Sequence, residues 1–534
     1  MPSLMQDSAR FAALQASYLA KQMQLWTSLL GGGASPVAAA PGDKRFSSRE
    51  WRDNAYFSYL RQSYLLAAEF LTELAREAEL DGKAKERLQF AVRQWCDAIS
   101  PANFAATNPT VLREALQTKG ESLTRGLANL IADTRRRRIL QTDESAFEIG
   151  GNLAVTPGDV VYENGLIQLI QYRAATAQVG ERPLVMVPPC INKFYILDLR
   201  PQNSFVRYAV ERGHTVFMVS WKNVGPEDAA YDWDDYIESI FKAFEVSRAV
   251  ARCERVNALG FCVGGTLLGA ALAVMAARGE HTVDAVTYLA TMLDFEAPGQ
   301  IRVFIDPEAH AAREAQIGNG GIFPGADLAA TFNALRANDL VWPYVVNNYL
   351  MGGTPSAFDI LYWNADSTNL PGPMYCNYVR NTYLDNKLRV PGAVVNCGVP
   401  VDLGRVDRPS FIVATREDHI VPWRAAYRSV GLLGGEKTFV LGASGHIAGV
   451  INPPADHKRS FWISDSYPAG AEDWLGQARE QRGSWWPTWA QWLERFKGGA
   501  REAPAQTGSE KYPAIEPAPG RYVKQKAERS NQES

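Results

Sequence analysis

Cysteine is scarce in this sequence, and the few that occur form no recognisable framework. The six cysteines are Cys96, Cys190, Cys253, Cys262, Cys376 and Cys397. None of them is spaced as C-x-x-C, the usual signature of a zinc site, and six in 534 residues are too few for a disulfide-rich secreted domain. We therefore expect no metal site and a reducing compartment.

The chain also lacks an excess of charge of either sign. Its 55 Lys and Arg residues against 58 Asp and Glu residues give a net charge of −3, which provides no global field to attract nucleic acid or an anionic membrane. The first residues contain no basic segment followed by an apolar core and a cleavage site. We expect a cytoplasmic protein with no nucleic-acid partner.

Long hydrophobic runs are nearly absent as well. Residues 258–277 form an uncharged stretch of twenty, long enough by length alone to span a membrane. The stretch contains four glycines, begins like a strand and has no flanking aromatic belts. This pattern favours a soluble strand, turn and helix, so we predict no transmembrane span.

The same stretch contains the most informative motif of the chain. Cys262 stands in the G-x-C-x-G sequence of residues 260–264, between a predicted strand at 256–259 and a predicted helix at 266–277. This is the nucleophile turn of an α/β-hydrolase, with cysteine in place of serine. The start of the helix favours a thiolate. The alternative is that Cys262 is an inert buried cysteine. The presence of a base and an acid to partner Cys262 would distinguish the two interpretations.

Two residues that directly follow later strands can serve as those partners. A nucleophilic cysteine needs a base and a group that orients the base. Asp418 and His446 each follow a predicted strand, and the order Cys262, Asp418, His446 is that of the α/β-hydrolase triad. His419 is the rival base, and Glu417 is a weaker substitute for the acid.

An oxyanion hole in this fold uses two backbone N–H groups. One belongs to the residue after the nucleophile, here Val263, and the other to the loop after an earlier strand. That loop is residues 188–193, whose first two residues are prolines without an N–H. Ile191 is the predicted second donor, with Cys190 as the alternative.

The pattern along the chain predicts four segments, one of which carries an insertion. Residues 1–42 hold an amphipathic helix and a Gly/Ala/Pro linker, and residues 43–145 form an all-helical domain. Alternating strands and helices predict an α/β-hydrolase catalytic domain over 146–500, with a cap insertion at about 293–407. Residues 501–534 form a polar tail that we expect to be mobile. The apolar face of the first helix must dock on a partner, an oily surface or the protein body.

Four tryptophans form a helical stripe near the end of the catalytic domain. The stripe runs from Trp485 to Phe496 and includes Trp486, Trp489 and Trp492. We favour a helix that docks on the core. The alternative is an exposed stripe that binds a hydrophobic surface.

These motifs closely resemble those of class I polyhydroxyalkanoate synthases. The likeness is carried by residues 260–266, 416–423 and 442–454, and by the segment 188–199, and it extends over about 43–500. Phe261 and Val263, which flank the cysteine, resemble the short-chain class.

The resemblance implies polymerisation of (R)-3-hydroxyacyl-CoA, mainly 3-hydroxybutyryl-CoA, through acyl-Cys intermediates with release of CoA. It implies no separate cofactor, because coenzyme A is the leaving group. Asp418 would orient His446 or help to activate the attacking hydroxyl, and Arg336 and Arg459 would contact CoA. It also implies a homodimer at the surface of polyester granules, with granule-associated proteins as partners. A cysteine-dependent thioesterase or polyester depolymerase of the same fold is the alternative.

Overall fold

The computed structural model describes residues 8–31 and 43–527, which divide into two compact units. One unit comprises the described residues up to Glu144 together with Thr331–Phe358, and the other comprises Ser145–Ala330 and the residues from Asp359 onward. The predicted linker before Asp43 and the last seven residues of the predicted tail lie outside the described residues.

The helices are distributed over the whole of the described chain. In chain order they are α1 Ser8–Gly31, α2 Glu50–Asp53, α3 Ala55–Glu77, α4 Gly82–Ala98, α5 Pro109–Gln117, α6 Glu121–Arg136, α7 Phe205–Val210, α8 Trp233–Ala251, α9 Val263–Arg278, α10 Pro307–Ile317, α11 Gly325–Leu335, α12 Ala337–Leu340, α13 Trp342–Tyr344, α14 Asp359–Asn364, α15 Gly372–Val379, α16 Trp423–Leu432, α17 Ala471–Gln477 and α18 Trp486–Glu494. None of the described helices is long and apolar enough to cross a membrane.

The strands belong to one large sheet and three small pairs. They are β1 Gly158–Glu163, β2 Ile167–Tyr172, β3 Gln178–Gly180, β4 Leu184–Val187, β5 Val216–Trp221, β6 Val256–Phe261, β7 Val283–Leu289, β8 Ile322–Phe323, β9 Leu370–Pro371, β10 Val395–Asn396, β11 Val399–Pro400, β12 Ser410–Thr415, β13 Lys437–Gly442, β14 Ser460–Ile463, β15 Arg479–Arg482, β16 Ala500–Glu502 and β17 Glu516–Pro517.

The first unit is helical, as the sequence predicts. Helix α1 lies against α3, where the ring of Tyr18 is 4.9 Å from that of Phe70 and Lys21 pairs with Glu69 at 2.6 Å. Leu25 is fully buried. Of the three docking surfaces considered for the first helix, the structure shows the body of the protein.

The second unit is built on a mixed sheet with the strand order β15-β14-β13-β12-β7-β6-β4-β5-β2-β1-β17. The six strands from β13 to β5 pair in parallel, and the strands at both edges are antiparallel. The hairpin of β1 and β2 forms around the predicted Glu163-Asn164-Gly165 turn. Helices cover the sheet, so the predicted α/β-hydrolase fold is confirmed.

The predicted cap insertion lies between two neighbouring strands of the sheet, β7 and β12. It contains helices α10–α15 and the two strand pairs β8-β9 and β10-β11. Its middle part, Thr331–Phe358, is grouped with the N-terminal helices rather than with the sheet. The division between units therefore differs from the predicted domain limits at this insertion.

The tryptophan stripe packs into the core of the second unit. Trp485 and Trp489 are fully buried, and the ring of Trp489 lies 4.5 Å from that of Phe205. The docking helix is therefore the correct interpretation, and the exposed stripe is wrong.

The described part of the tail is held by the second unit, so the predicted mobility is wrong for residues 501–527. Strand β16 pairs with β3, and β17 adds a strand to the edge of the large sheet beside β1. Tyr522 donates its phenolic hydrogen to the carbonyl oxygen of Asn164 at 2.7 Å. Polar segments can form such edges because backbone groups supply the hydrogen bonds.

Candidate active site

Cys262 occupies the sharp turn between β6 and α9. Its backbone has φ 54° and ψ −128°, a conformation that a non-glycine residue adopts only under strain. The N–H of Cys262 donates to the carbonyl oxygen of Leu289 at 2.9 Å, which ties the turn to β7. The strained turn has the form of a nucleophile turn, and it leaves Cys262 partly buried rather than enclosed in the core.

Two glycines make this turn possible because backbone groups approach them closely. A Cβ atom at Gly260 would stand 2.4 Å from the Cα of Gly265. A Cβ atom at Gly264 would stand 2.4 Å from the carbonyl oxygens of both Val187 and Pro188. The start of α9 thus packs directly against the end of β4, where the predicted oxyanion loop begins.

Asp418 and His446 form a buried pair in the loops that follow the neighbouring parallel strands β12 and β13. Nδ1 of His446 lies 2.7 Å from Oδ2 of Asp418, and both side chains are almost inaccessible. Asp418 also accepts the N–H groups of Ile420 and Val421 at 2.9 and 2.8 Å. These backbone hydrogen bonds hold the carboxylate of Asp418 in place independently of its contact with His446.

The pKa of His446 reflects both its burial and its charged neighbours. Burial, the largest single influence, lowers it, but the charge of Asp418 and that of Cys262, with hydrogen bonds to both residues, raise it overall to about 10. The imidazole of His446 also stacks on Phe261, with 5.4 Å between ring centroids. The structure therefore brings the three predicted catalytic residues together, with an imidazolium favoured beside the sulfur.

Tryptophans of the buried stripe hold the histidine loop from behind. The indole N–H groups of Trp485 and Trp486 donate to the carbonyl oxygens of Gly449 and Val450, each at 2.9 Å. These indoles would be unsatisfied in the core without the loop. The stripe thus fixes the segment that carries His446.

Both predicted oxyanion donors follow the carboxyl ends of β4 and β6, two neighbouring parallel strands in the middle of the sheet. Val263 is the first residue of α9, so its N–H has no acceptor within the helix. Ile191 lies in the loop after β4 and accepts the N–H of Thr368 at 3.0 Å through its carbonyl oxygen. The structure thus leaves both N–H groups as candidates for the role.

The two arginines predicted to contact CoA belong to different units. Arg336 pairs with Asp339 at 2.6 Å within the first unit, and its side chain is partly exposed. Arg459, in the second unit, donates to the carbonyl oxygen of Ala448 two residues after His446. Arg459 thus lies beside the histidine loop, whereas Arg336 pairs with Asp339 of the helix that directly follows it.

Three residues near Cys262 were not predicted. The hydroxyl of Thr291 donates to the carbonyl oxygen of Cys262 at 3.2 Å. Burial raises the pKa of Tyr378 and of Tyr383, and the nearby charge of Cys262 raises both further. Neither tyrosine stands in a motif, and the insertion that carries them shows no regular period, so no sequence signal could have found them.

Metal ligation has no candidate in this site. Within residues 8–31 and 43–527, no group of three His, Cys, Asp or Glu side chains is arranged to hold a metal ion. The donors at the site are those of the cysteine, acid and histidine already described.

Two family models and several known sequences match this chain. Residues 42–209 match the family described as Poly-beta-hydroxybutyrate polymerase (PhaC) N-terminus, and residues 183–453 match the alpha/beta hydrolase fold family. The Poly(3-hydroxyalkanoate) polymerase subunit PhaC of Cupriavidus necator is 53% identical over 97% of this chain and 89% of its own length.

One further relative and one solved structure also match this chain. The corresponding subunit of Rhizobium meliloti is 41% identical over 98% of this chain and 87% of its own length. The structure of a hydrolase from Pseudomonas aeruginosa PA01 covers 57% of this chain and 96% of its own at 16% identity, but its TM-score of 0.34 adds nothing to the assignment. On the sequence matches, the chain belongs to the poly(3-hydroxyalkanoate) polymerase family.

Proposed function

We propose that this protein polymerises (R)-3-hydroxyacyl-CoA, mainly 3-hydroxybutyryl-CoA, into a polyhydroxyalkanoate polyester and releases CoA. One observation carries the proposal: a strained cysteine beside a buried Asp–His pair, in a chain 53% identical to a poly(3-hydroxyalkanoate) polymerase over nearly its whole length. Cys262 is the nucleophile, His446 the base and Asp418 its partner.

Acylation begins with attack of the Cys262 thiolate on the thioester carbonyl carbon. The C–S bond to Cys262 forms, the C–S bond to CoA breaks, and the departing CoA sulfur takes the proton held by His446. The raised pKa of His446 keeps that proton available, because it stabilises the imidazolium beside the thiolate. The N–H groups of Val263 and Ile191 stabilise the negative oxygen of the tetrahedral intermediate.

Chain growth then uses the neutral imidazole that acylation leaves behind. His446 removes the proton from the hydroxyl of a hydroxyacyl chain, whose oxygen attacks the acyl-Cys carbonyl. An ester bond forms, and the Cys262 sulfur leaves as the thiolate. Cysteine suits these two steps better than serine because the acyl-Cys intermediate is still a thioester, about as activated as the CoA substrate.

Asp418 has two possible contributions to these steps. Its carboxylate contacts Nδ1 of His446, which supports an orienting role for the base. A role in activation of the attacking hydroxyl is the second possibility, and it requires the substrate to approach the same carboxylate.

The CoA contacts and the class are further parts of the proposal. Arg459 neighbours the histidine loop and is the better supported phosphate contact, and Arg336 is the second candidate. Phe261 and Val263, which flank the nucleophile, support assignment to the short-chain class I enzymes. No separate cofactor is required, since CoA leaves with each step.

We also propose that the active protein is a cytoplasmic homodimer bound to polyester granules and their associated proteins. The support for this part is the family membership of the chain. Sedimentation of the purified protein with and without substrate tests the dimer, and fluorescence microscopy of a tagged chain in polyester-producing cells tests the granule association.

The deciding experiment feeds radiolabelled (R)-3-hydroxybutyryl-CoA to the purified full-length protein. We expect CoA release, insoluble labelled polymer and label trapped on the peptide that contains Cys262. Cys262→Ala is the control and should give neither polymer nor labelled peptide. Free hydroxy acid without polymer would instead indicate the thioesterase alternative.

A further inference from the structure

The oxyanion loop, residues 188–193, is held by a segment that lies far away in the sequence. This bracing segment, residues 363–368, contacts the loop three times. The contacts are Nε1–H of Trp363 to the carbonyl oxygen of Lys193 (2.7 Å), N–H of Thr368 to the carbonyl oxygen of Ile191 (3.0 Å), and backbone pairing of Ser367 with Asn192. The position of the Ile191 peptide therefore depends on the bracing segment.

The bracing segment is in turn held by the C-terminal tail. Its carboxylate, Asp366, is almost fully buried, and Oδ2 lies 2.8 Å from Nζ of Lys526. The hydroxyl of Tyr195 donates to the same oxygen at 3.0 Å. Buried carboxylates are stable only when such partners compensate the lost hydration.

Lys526 is fixed at its backbone as well as at its ammonium group. Nδ2–H of Asn223 donates to the carbonyl oxygen of Lys526 at 3.1 Å, and Oδ1 of Asn223 accepts the N–H of Asn369 at 3.0 Å. Asn369 directly follows the bracing segment. Two separate contacts thus join the tail to the same region.

A second lysine competes for Asp366. Lys193, the last residue of the oxyanion loop, is 2% exposed, and its Nζ has no hydrogen-bond partner among the described residues. Burial lowers the pKa of Lys193 to about 8, although the charge of Asp366 opposes this, and Lys526 lowers it further. Without Lys526, the attraction between Asp366 and Lys193 would be unopposed and would pull on the loop.

We propose that Lys526 is a positioning residue of the active site, which acts through Asp366 to hold the N–H of Ile191 where the oxyanion forms. The inference rests on the proposed acylation of Cys262. The tail thereby contributes to the reaction, because the charge of Lys526 holds Asp366 in place and Asp366 belongs to the segment that positions the N–H of Ile191.

The test measures steady-state kinetics and the burst of CoA release with (R)-3-hydroxybutyryl-CoA for full-length Lys526→Gln, Asp366→Asn and the double variant. Because displacement of a positioned group by about 1 Å can cost up to ~100-fold in rate, we expect kcat of Lys526→Gln to fall ~10-fold or more with KM within ~2-fold. The burst rate should fall equally. In the Asp366→Asn background, Lys526→Gln should have no further effect.

Two matched variants separate positioning from loss of structure. Lys526→Arg keeps the charge and should restore kcat to within ~3-fold of the wild type. Lys511→Gln removes another tail lysine, which pairs with Glu245 at 3.7 Å and contacts neither Asp366 nor the loop, and it should leave kcat unchanged. Lys526→Gln leaves the buried carboxylate of Asp366 without this cation and should lower the unfolding temperature, whereas Lys526→Arg should not. The kinetics are therefore measured at a temperature at which circular dichroism shows every variant to be folded.

The outcomes distinguish this inference from the proposed function. If the wild-type protein shows no burst of CoA release and no labelled Cys262, the proposed function fails and takes the inference with it. If the wild type acylates normally and Lys526→Gln acylates equally fast, the proposed function stands and the inference is overturned. Equal losses in Lys526→Gln and Lys526→Arg would also overturn it, as would independent effects of Lys526→Gln and Asp366→Asn.

Discussion

The nucleophile turn and the oxyanion loop supply the two sides of one candidate site, yet they are held in different ways. The turn is fixed by its own glycines and by the adjoining strand ends. The loop is fixed by Trp363, 170 positions beyond Lys193, and by Trp221, whose indole N–H donates to the carbonyl oxygen of Pro188 at 2.9 Å. Local contacts leave a motif in the sequence, and distant contacts do not.

The largest expected effect concerns the acid, which is held locally like the turn. Asp418→Asn should keep the backbone contacts to Ile420 and Val421 but present an amide to His446. Because an analogous change in serine-protease triads costs ~10⁴ in kcat, we expect a loss of similar size here. Steady-state CoA release checks it.

Asp402→Asn is the matched control for this change. Asp402 also accepts a nearby backbone N–H, that of Gly404 at 2.9 Å, but it lies outside the site. Its activity should match the wild type. A loss of less than ~10-fold in Asp418→Asn would mean that the carboxylate charge beside His446 does not matter for the reaction.

A methyl group at Gly264 should distort both the nucleophile turn and the oxyanion loop, because the two pack against each other at this residue. The added Cβ would meet two rigid backbone oxygens at 2.4 Å, so Gly264→Ala must displace either α9 or the end of β4. We expect kcat to fall by ~10²–10³, as after loss of one oxyanion donor. Strain from overpacking should lower the free energy of unfolding by ~3 kcal/mol, measured by urea denaturation.

Gly476→Ala is the control for the methyl group itself. Gly476 lies in helix α17 and has no atom within 4 Å of a built Cβ. Alanine should stabilise that helix by ~0.5–1 kcal/mol and leave kcat unchanged. Wild-type activity in Gly264→Ala would contradict the close approach of turn and loop.

The sequence predicts the turn, the triad order and most strands because each has a short-range pattern. Residues 160–170 show two apolar runs around an Asn-Gly turn, and they form the hairpin of β1 and β2. The addition of β17 to the sheet edge was not predictable, since Glu516 and Pro517 pair through backbone groups and show no apolar alternation. Lys193 gave no signal either, because its burial depends on residues far away in the chain.

A smaller effect should follow from removal of one distant contact to the loop. Trp363→Phe keeps an aromatic ring but removes the N–H that donates to Lys193, and leaves that buried carbonyl oxygen without its donor. We expect a loss of ~1–3 kcal/mol in the free energy of unfolding, by denaturation. Looser positioning of the loop should lower kcat by ~10-fold with little change in KM.

Trp492→Phe provides the comparison for Trp363→Phe. Trp492 is buried in the same unit, and its Nε1 has no hydrogen-bond partner in the described residues. This variant therefore changes a buried indole without removal of a contact to the loop. Equal effects on kcat in the two variants would show that ring packing, and not the bond to Lys193, matters for activity.

The smallest expected effect is the pH dependence of stability that arises where turn and acid meet. The pKa of His446 is raised to about 10 in the folded protein and is 6.5 ordinarily, so the folded state binds this proton more tightly. The resulting stabilisation is fully present below pH 6.5 and is lost as the pH rises towards 10. The difference in free energy of unfolding between the wild type and Asp418→Asn should therefore shrink between pH 5.5 and 8.

Imidazole NMR should show a lower pKa for His446 in Asp418→Asn, and a smaller decrease in Cys262→Ala, since Asp418 contributes more than Cys262. An unchanged pKa of His446 in both variants would mean that neither the charge of Asp418 nor that of Cys262 stabilises the imidazolium.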